Sequence, residues 1–211
     1  MHWPVPASEL KALVPPKLEL QEFDGTAWIG VVPFRMAGVM RRPLPDLPGV
    51  SAFPELNVRT YVVLDDKPGV WFLSLDAANR LAVWAARRFF HLPYYFADMS
   101  IAEREDGFHY RSERRGAKFV ATYRPTSEPY FARAGTLEHW LTERYCLYAE
   151  APSGSIWRND VHHHPWPLQS ATATIECNTF SALHDASMRQ PPLLHFARRL
   201  DVIVWTGERV A

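Results

Sequence analysis

The chain has 211 residues, of which 47% are hydrophobic and 22% charged, as in an ordinary globular domain. We predict one domain over residues 1–211. Its 23 basic and 23 acidic residues balance, so no net field would collect nucleic acid or anionic lipid. No run reaches the ~20 apolar residues of a membrane span, and residues 1–4 lack signal-peptide character. We therefore expect a cytoplasmic protein without nucleic-acid or membrane partners.

The first quarter of the chain alternates short apolar runs with turns. Residues 6–13 predict a short helix that ends before a Pro-Pro pair. Residues 18–21 and 27–36 predict the two strands of a hairpin, because an Asp-Gly turn lies between them. The Pro-rich residues 41–54 predict a loop that serves as a lid or as an oligomer contact.

A second hairpin and the clearest helix follow. Residues 57–64 and 70–75 are rich in β-branched and aromatic side chains, and a turn sequence at residues 65–69 separates them. In residues 77–91 the apolar side chains recur at spacings of three and four, which predicts an amphipathic helix. Asp76 precedes this segment, and we interpret it as the N-cap of the helix.

The second half of the chain predicts mostly strands. Residues 95–103, 108–113 and 117–123 are separated by short Gly-containing turns, as in a β-meander. Further predicted elements are a helix at 136–142 and strands at 143–149, 155–163, 172–177 and 201–205. The sequence therefore predicts a mainly β fold with a few helices (α+β), built as a curved sheet or a closed barrel. A small barrel can hold one ligand in its mouth.

The common catalytic signatures are missing from this sequence. It contains no GxGxxG or Walker A loop, no HExxH, no paired CxxC and no GxSxG. We therefore predict no cofactor. The two cysteines, Cys146 and Cys177, lie far apart, which favours two thiols in a reducing compartment over a disulfide. Cys146 lies in an apolar strand and is interpreted as an inert core thiol.

Three consecutive histidines offer an alternative site. In an extended segment His162 and His164 share a face, whereas His163 points the other way. Such a pair is half of a metal site, and zinc or iron needs at least one more ligand brought by folding. We predict no metal and keep His162 and His164 as the weaker alternative.

A polar stripe runs along the strand at residues 55–61. Alternation places Glu55, Asn57 and Arg59 on one face together with Tyr61. One interpretation is that this face meets water. The other is that it lines a barrel interior, where Arg59 would receive a carboxylate through two hydrogen bonds.

Arginine and aromatic residues interleave in residues 87–95 (RRFFHLPYY). Such a pattern also serves nucleic-acid binding through stacking and phosphate contacts. Because the net charge is zero and there is no broad basic stripe, we interpret the segment as packing at the helix end and as the rim of a pocket.

Several blocks of this sequence together resemble the YqjF-like family of unknown function, in the acetoacetate decarboxylase-like superfamily. They are residues 48–61 (PGVSAFPELNVRTY), 74–84 (SLDAANRLAVW), 137–148 (LEHWLTERYCLY), 164–169 (HPWPLQ) and 192–201. The resemblance implies an antiparallel, cone-like β barrel with a small internal pocket, and a possible homodimer. It implies no activity.

The true decarboxylases of that superfamily carry two adjacent lysines, one of which forms a Schiff base. The matching positions here are Tyr94 and Tyr95, and a phenol cannot form an imine. The resemblance therefore implies that acetoacetate decarboxylase activity is lost, unless Lys118 replaces the missing amine. Glu55 is similar to a pocket glutamate of the superfamily.

These observations lead to one main hypothesis and two alternatives. We predict a protein that binds a small carboxylate or keto acid in a barrel pocket, without Schiff-base catalysis. The pocket candidates are Glu55, Asn57, Arg59, His91, Tyr94 and Tyr95. One alternative is an enzyme that uses Glu55 with Tyr94 or Tyr95 as acid–base groups. The other is a structural or partner-binding protein that acts through residues 41–54.

Overall fold

Two β-sheets form most of the molecule in the computed structural model, which describes residues 1–38, 52–180 and 190–211. The helices in these ranges are α1 (Ala7–Lys11), α2 (Arg80–Phe90) and α3 (Leu137–Thr142). The strands are β1 (His2–Val5), β2 (Glu19–Leu20), β3 (Ala27–Met36), β4 (Phe53–Leu64), β5 (Lys67–Ala77), β6 (Tyr94–Phe96), β7 (Asp98–Arg104), β8 (Gly107–Arg114), β9 (Ala117–Pro125), β10 (Cys146–Glu150), β11 (Ile156–His163), β12 (Gln169–Asn178), β13 (His195–Phe196), β14 (Val202–Val204) and β15 (Glu208–Arg209). The predicted mainly β fold with a few helices is confirmed.

The larger sheet has the order β1-β3-β4-β5-β10-β11-β14, with β2, β6 and β15 attached to β4, β5 and β11. Its strands are antiparallel, except that β5 runs parallel to β6 and β10. The predicted hairpin of β4 and β5 is confirmed. Asp65 and Asp66 at its turn have φ angles of 49° and 59°, the left-handed values that tight hairpin turns require.

The first predicted hairpin, over residues 18–36, is wrong in its pairing. β3 pairs with β1 and β4, while the two-residue β2 pairs with β4 at Val62 and Val63. The ten residues of β3 match the long β4 in length, so seven register pairs form between these strands. The short β2 offers far fewer hydrogen bonds to any partner.

The smaller sheet has the order β13-β12-β9-β8-β7, and its β7-β8-β9 part is the predicted meander. Alternate residues of β9 are buried, which directs one face of this sheet at the larger one. The core between the sheets includes Trp3, Ile29, Leu56, Val58, Tyr110, Phe119 and Ala121. In the described ranges no strand of one sheet pairs with a strand of the other, so the sheets enclose this core without forming the predicted closed barrel.

Helix α2 confirms the predicted helix at residues 77–91, but its N-cap is not Asp76. Strand β5 continues through Ala77, and the side chain of Asn79 accepts hydrogen bonds from the backbone N–H groups of Leu81 and Ala82, both at 3.0 Å. The cap prediction failed because β5 pairs with β4 up to Glu55, which keeps Asp76 inside the sheet.

The apolar stripe of α2 faces outward. Leu81, Trp84 and Phe89 are each more than half exposed, and in this helix Val83 is the residue that is buried, against Phe53. The periodicity therefore predicted correctly that α2 is amphipathic. Its large apolar face is the one that the described part of the chain leaves uncovered.

The remaining predictions concern the cysteines, the loop and the membrane. Cys146 is buried and Cys177 half-buried, and both are free thiols. Residues 39–51, which include most of the Pro-rich loop, lie outside the described residues. Among the helices of the described ranges, none has the length and apolar character needed to cross a membrane.

Candidate functional site

A carboxyl and a phenol form a hydrogen-bonded pair at one end of β4. The hydroxyl of Tyr94 donates to the two carboxyl oxygens of Glu55, at 3.0 and 3.1 Å. Glu55 is only 4% exposed. The hydroxyl of Tyr110 donates to the backbone carbonyl of Glu55 at 2.6 Å, so phenols from β6 and β8 hold this residue from two elements.

The end of α2 positions Tyr94. His91 follows the helix with a φ of 56°, the left-handed conformation that commonly ends helices and that histidine adopts more readily than most residues. Pro93 cannot continue the helix, and its carbonyl accepts from the backbone N–H of Leu75 at 3.1 Å. This hydrogen bond helps to hold β6 beside β5, with which it pairs in parallel. In that position the side chain of Tyr94 contacts Glu55.

Burial changes the proton affinity of this pair. Loss of hydration raises the pKa of Glu55 from its ordinary 4.5 to about 8, although the hydrogen bond from Tyr94 acts in the opposite direction. Burial, followed by the nearby Glu55, raises the pKa of Tyr94 well above its usual value. At neutral pH both groups therefore carry protons, and Glu55 is a neutral acid that can donate as well as accept hydrogen bonds.

A surface cleft of about 580 Å³ reaches Tyr94 from outside. One wall is the segment from the end of α2 to β6, and the other is the turn between β10 and β11. The lining residues are Arg87, His91, Leu92, Pro93, Tyr94, Tyr95, Glu150, Ala151, Pro152 and Gly154. Three of the six predicted pocket residues line this cleft, and Glu55 lies behind one of them, Tyr94.

The two other predicted residues lie further along β4. Asn57 and Arg59 are buried, so the interpretation that their face meets water is wrong. Neither lines the cleft. The Nη2 atom of Arg59 donates to the carbonyl of Leu141 at 3.4 Å, and the Oδ1 atom of Asn57 has no hydrogen-bond partner among the described residues.

Sequence reasoning missed a buried ion pair between the two sheets. The Nε atom of Arg114 donates to the carboxylate of Asp76 at 2.9 and 3.1 Å, and Ser112 Oγ lies at 3.4 Å. The guanidinium of Arg114 also lies 4.2 Å from the ring centroid of Tyr95, on the rim of the cleft. The length of the predicted strands could have revealed that Asp76 lies in the sheet. β4 is long, and β5 pairs with it along its length only if β5 extends to Ala77.

The histidine run gives no complete metal site in the described ranges. His162 and His164 are exposed with ring centroids 6.2 Å apart, and His163 is buried, as the alternation predicted. The buried ring bonds the carbonyls of His164 and Arg144. No group of three or more His, Cys, Asp or Glu side chains that could hold a metal occurs among residues 1–38, 52–180 and 190–211.

Among the described residues, no lysine lines the cleft. Lys118 lies on β9, is partly exposed, and pairs with Glu113 at 3.4 Å. Lys17 contacts a lining residue from outside, since its Nζ atom donates to the carbonyl of Gly154 at 2.9 Å.

Solved structures with the acetoacetate decarboxylase fold match the whole of this chain. Acetoacetate decarboxylase from Legionella pneumophila is 15% identical, with a TM-score of 0.65 over 100% of this chain and 82% of that one. The enduracididine biosynthesis enzyme MppR, complexed with pyruvate, is 13% identical, with a TM-score of 0.62 over 99% and 85%. An acetoacetate decarboxylase-like enzyme from Sphingomonas wittichii RW1 is 13% identical, with a TM-score of 0.65 over 99% and 88%. The protein thus has an acetoacetate decarboxylase-like fold.

Sequence similarity is more specific than this likeness of fold. The model of the DUF2071 family, described as an uncharacterized conserved protein, matches residues 1–201. The uncharacterized protein YqjF of Bacillus subtilis (strain 168) is 49% identical over 208 residues, which are 97% of this chain and 86% of that protein. The chain belongs to the DUF2071 family, and the predicted YqjF-like resemblance is confirmed.

Proposed function

We propose that the cleft beside α2 binds a small keto acid or related carboxylate, and that it does so without Schiff-base chemistry. The observation that carries this proposal is the Glu55–Tyr94 pair at the inner side of an open cleft. When Glu55 is protonated it can donate to the Tyr94 oxygen, which frees the Tyr94 hydroxyl in the cleft to donate to a ligand carbonyl oxygen without charge repulsion.

The charge for the ligand's carboxylate would come from Arg87. This side chain is exposed, lines the cleft, and forms no ion pair with a described residue. Its planar guanidinium suits a carboxylate through two parallel hydrogen bonds. Arg59, the carboxylate partner expected from the sequence, does not line the cleft, so we assign that role to Arg87.

Two further observations support a keto-acid ligand. MppR, whose fold this chain shares, was solved in complex with pyruvate. His91 contributes an imidazole to the cleft from a left-handed backbone conformation, which a residue other than glycine adopts at some energetic cost. Its imidazole adds a hydrogen-bonding group to the lining of the cleft.

Calorimetric titration with pyruvate tests the proposal. We expect saturable binding to the unaltered protein, and roughly tenfold to hundredfold weaker binding to Arg87→Ala, because a charge-assisted hydrogen bond contributes about 1.5–3 kcal/mol. The matched control is Arg199→Ala, since Arg199 is exposed and distant in sequence from the cleft residues. Absence of binding for pyruvate, acetoacetate and acetate alike would contradict the proposal.

A second candidate is acid–base catalysis on the same ligand, favoured by a Glu55 pKa near the working pH. Because Glu55 lies behind Tyr94, its carboxylate form would act through that hydroxyl. The Tyr94 oxygen would take a proton from the methyl carbon of bound pyruvate while the Tyr94 proton passes to Glu55, which leaves the enolate, and the reverse transfer would return a proton to that carbon. In D₂O this exchange replaces methyl hydrogens by deuterium, which proton NMR measures. We expect Glu55→Gln to abolish the exchange while it retains binding. Exchange at the uncatalysed rate with the unaltered protein would eliminate this candidate.

A further inference from the structure

Two buried guanidinium groups face the same aromatic ring, away from the cleft. Arg59 lies on β4, and Arg144 follows α3 just before β10. Their Cζ atoms lie 5.7 and 5.0 Å from the ring centroid of Tyr61, which is itself fully buried. Both arginines are more than nine-tenths buried, at 9% and 7% exposure.

Neither guanidinium has an acidic partner in the described part of the chain. Arg59 makes one long hydrogen bond, to the carbonyl of Leu141. Arg144 donates to the carbonyl of Trp140 at 2.7 Å and to the side-chain oxygen of Gln21 at 2.6 Å. The Nε atom of Arg59 and the Nη2 atom of Arg144 are buried without a hydrogen-bond partner among the described residues. Each arginine therefore presents a buried N–H donor that its neighbours leave unused.

The groups near these arginines include a buried histidine and, among the described residues, no acid that pairs with either of them. His2 bonds the hydroxyl of Tyr61 at 2.9 Å, and its pKa is lowered by burial first and then by nearby cationic groups, including Arg59. Burial lowers the pKa of Arg144 to about 10, and the charge of Arg59 acts in the same direction. Buried cations of this kind are normally paired, because removing a charge from water is costly unless an anion and hydrogen bonds replace the water.

We propose that Arg59 and Arg144 form a buried binding site for a small monovalent carboxylate. The anion would accept from the two unused N–H groups and would neutralise part of the charge around Tyr61. A carboxylate suits the site because its two oxygens match guanidinium donors. The neighbouring side chains Tyr61, Trp140 and Leu141 are packed together, so we propose the smallest carboxylates, formate and acetate, as ligands. None of these residues lines the cleft, so the site is separate from the one assigned to the keto acid.

Thermal unfolding with sodium formate as the probe tests this site. Sodium gluconate, a bulky carboxylate, replaces formate at constant total sodium, so that ionic strength does not change. We expect the midpoint of the unaltered protein to rise saturably, by roughly 5–11 °C at a hundredfold excess of formate over its Kd. Arg144→Gln and Arg59→Gln should lose most of this rise, while the exposed control Arg199→Gln keeps it.

Three outcomes would overturn the proposal. One is an absence of formate dependence in the unaltered protein. Another is an equal formate dependence in Arg144→Gln, which would mean that the arginines serve only as hydrogen-bond donors to the backbone. The third is an equal rise with sodium bromide, which would show no preference for a carboxylate.

A second measurement avoids reliance on variants that fail to fold. The ¹³C line of labelled formate should broaden in the presence of the unaltered protein and sharpen again when excess acetate competes. Pyruvate binding in the cleft is probed by Arg87→Ala, which should leave the formate response intact. The two proposals can therefore fail independently.

Discussion

The carboxyl group of Glu55 illustrates how burial sets the protonation state of a single residue. It lies on a strand that is buried on both faces, and its carboxyl group accepts a hydrogen bond from the neutral hydroxyl of Tyr94. Glu113 has the same chemistry but lies at the surface, where Arg111 and Lys118 pair with it. A neutral acid at pH 7 is thus a property of the Glu55 environment and not of glutamate itself.

This environment makes the contribution of Glu55 to stability fall as the pH rises. The folded-state pKa of Glu55, about 8, lies above the unfolded value of 4.5, so between these two values the folded state binds the extra proton. The contribution of Glu55 to the free energy of unfolding therefore declines as pH increases from 4.5 to 8 and is constant above that range. The full loss of this contribution is on the order of 5 kcal/mol. The buried N-terminal amine and His2, whose pKa values are lowered, change stability in the opposite direction in both proteins. Urea unfolding at several pH values should therefore give a difference in the free energy of unfolding between the unaltered protein and Glu55→Gln that declines across this range.

Glu103→Gln is the matched control for that experiment. Glu103 is exposed and its ion pair with Arg198 is at 3.6 Å, so its removal should leave the slope unchanged. Parallel pH profiles for the unaltered protein and Glu55→Gln would mean that Glu55 is ionised in the folded state.

Helix α2 shows how an element can be predicted correctly while its orientation is not. The spacing of apolar residues specified a helix, and Asn79 caps it. Periodicity alone does not say which neighbour covers the stripe. In the described part of the chain, β5 and β6 cover the narrow side that holds Val83, and Leu81, Trp84 and Phe89 remain on the surface.

This arrangement predicts an asymmetry between two substitutions on one helix. Trp84→Ser should change the free energy of unfolding by no more than about 0.5 kcal/mol, because the indole is 58% exposed and serine and tryptophan have similar helix propensities. Val83→Ser should lower the free energy of unfolding by roughly 1–3 kcal/mol, because it buries a hydroxyl and removes packing against Phe53. Denaturant unfolding measures both changes.

A different result for Trp84→Ser would identify a covered surface. If Trp84→Ser lowers the free energy of unfolding by several kcal/mol, and if the decrease depends on protein concentration, a second copy of the chain covers α2. That outcome would support the homodimer expected from the sequence resemblance.

At the scale of the whole molecule, polar contacts as well as the apolar core join the two sheets. The hydroxyl of Tyr110 on β8 bonds the backbone of Glu55 on β4, and Arg114 on β8 pairs with Asp76 on β5. Asp76 is fully buried, and burial raises its pKa, although Arg114 opposes this shift. These contacts set how the small sheet is placed against the strand that carries the candidate site.

A double-mutant cycle measures the ion pair between the sheets. Asp76→Asn alone should lower the free energy of unfolding by on the order of 3 kcal/mol, because it leaves Arg114 without its anion. The side chain of Arg114 is only 22% exposed, so water replaces that anion poorly. The coupling energy of Asp76→Asn with Arg114→Gln should be roughly 1–3 kcal/mol. The exposed pair of Arg198 and Glu103 is the control, with an expected coupling near zero. Equal coupling in both pairs would show that the link between the sheets adds no stability of its own.

The sequence determined the local structure and much of the candidate site. Alternation placed Glu55, Asn57 and Arg59 on one face, the turn at Asp65 fixed the central hairpin, and the resemblance pointed to tyrosines in place of paired lysines. These features depend on neighbouring residues, whose spacing the chain itself fixes.

Only the tertiary structure decided which faces are covered and which charges meet. The bond from Tyr94 to Glu55 spans 39 residues, the one from Arg114 to Asp76 spans 38, and the one from Arg144 to Gln21 spans 123. A segment's periodicity reports that its two faces differ, but it contains no information about the partner that packs there. For that reason Asp76 was interpreted as a helix cap and Arg144 was not recognised, although both are buried groups whose environment is set by distant strands.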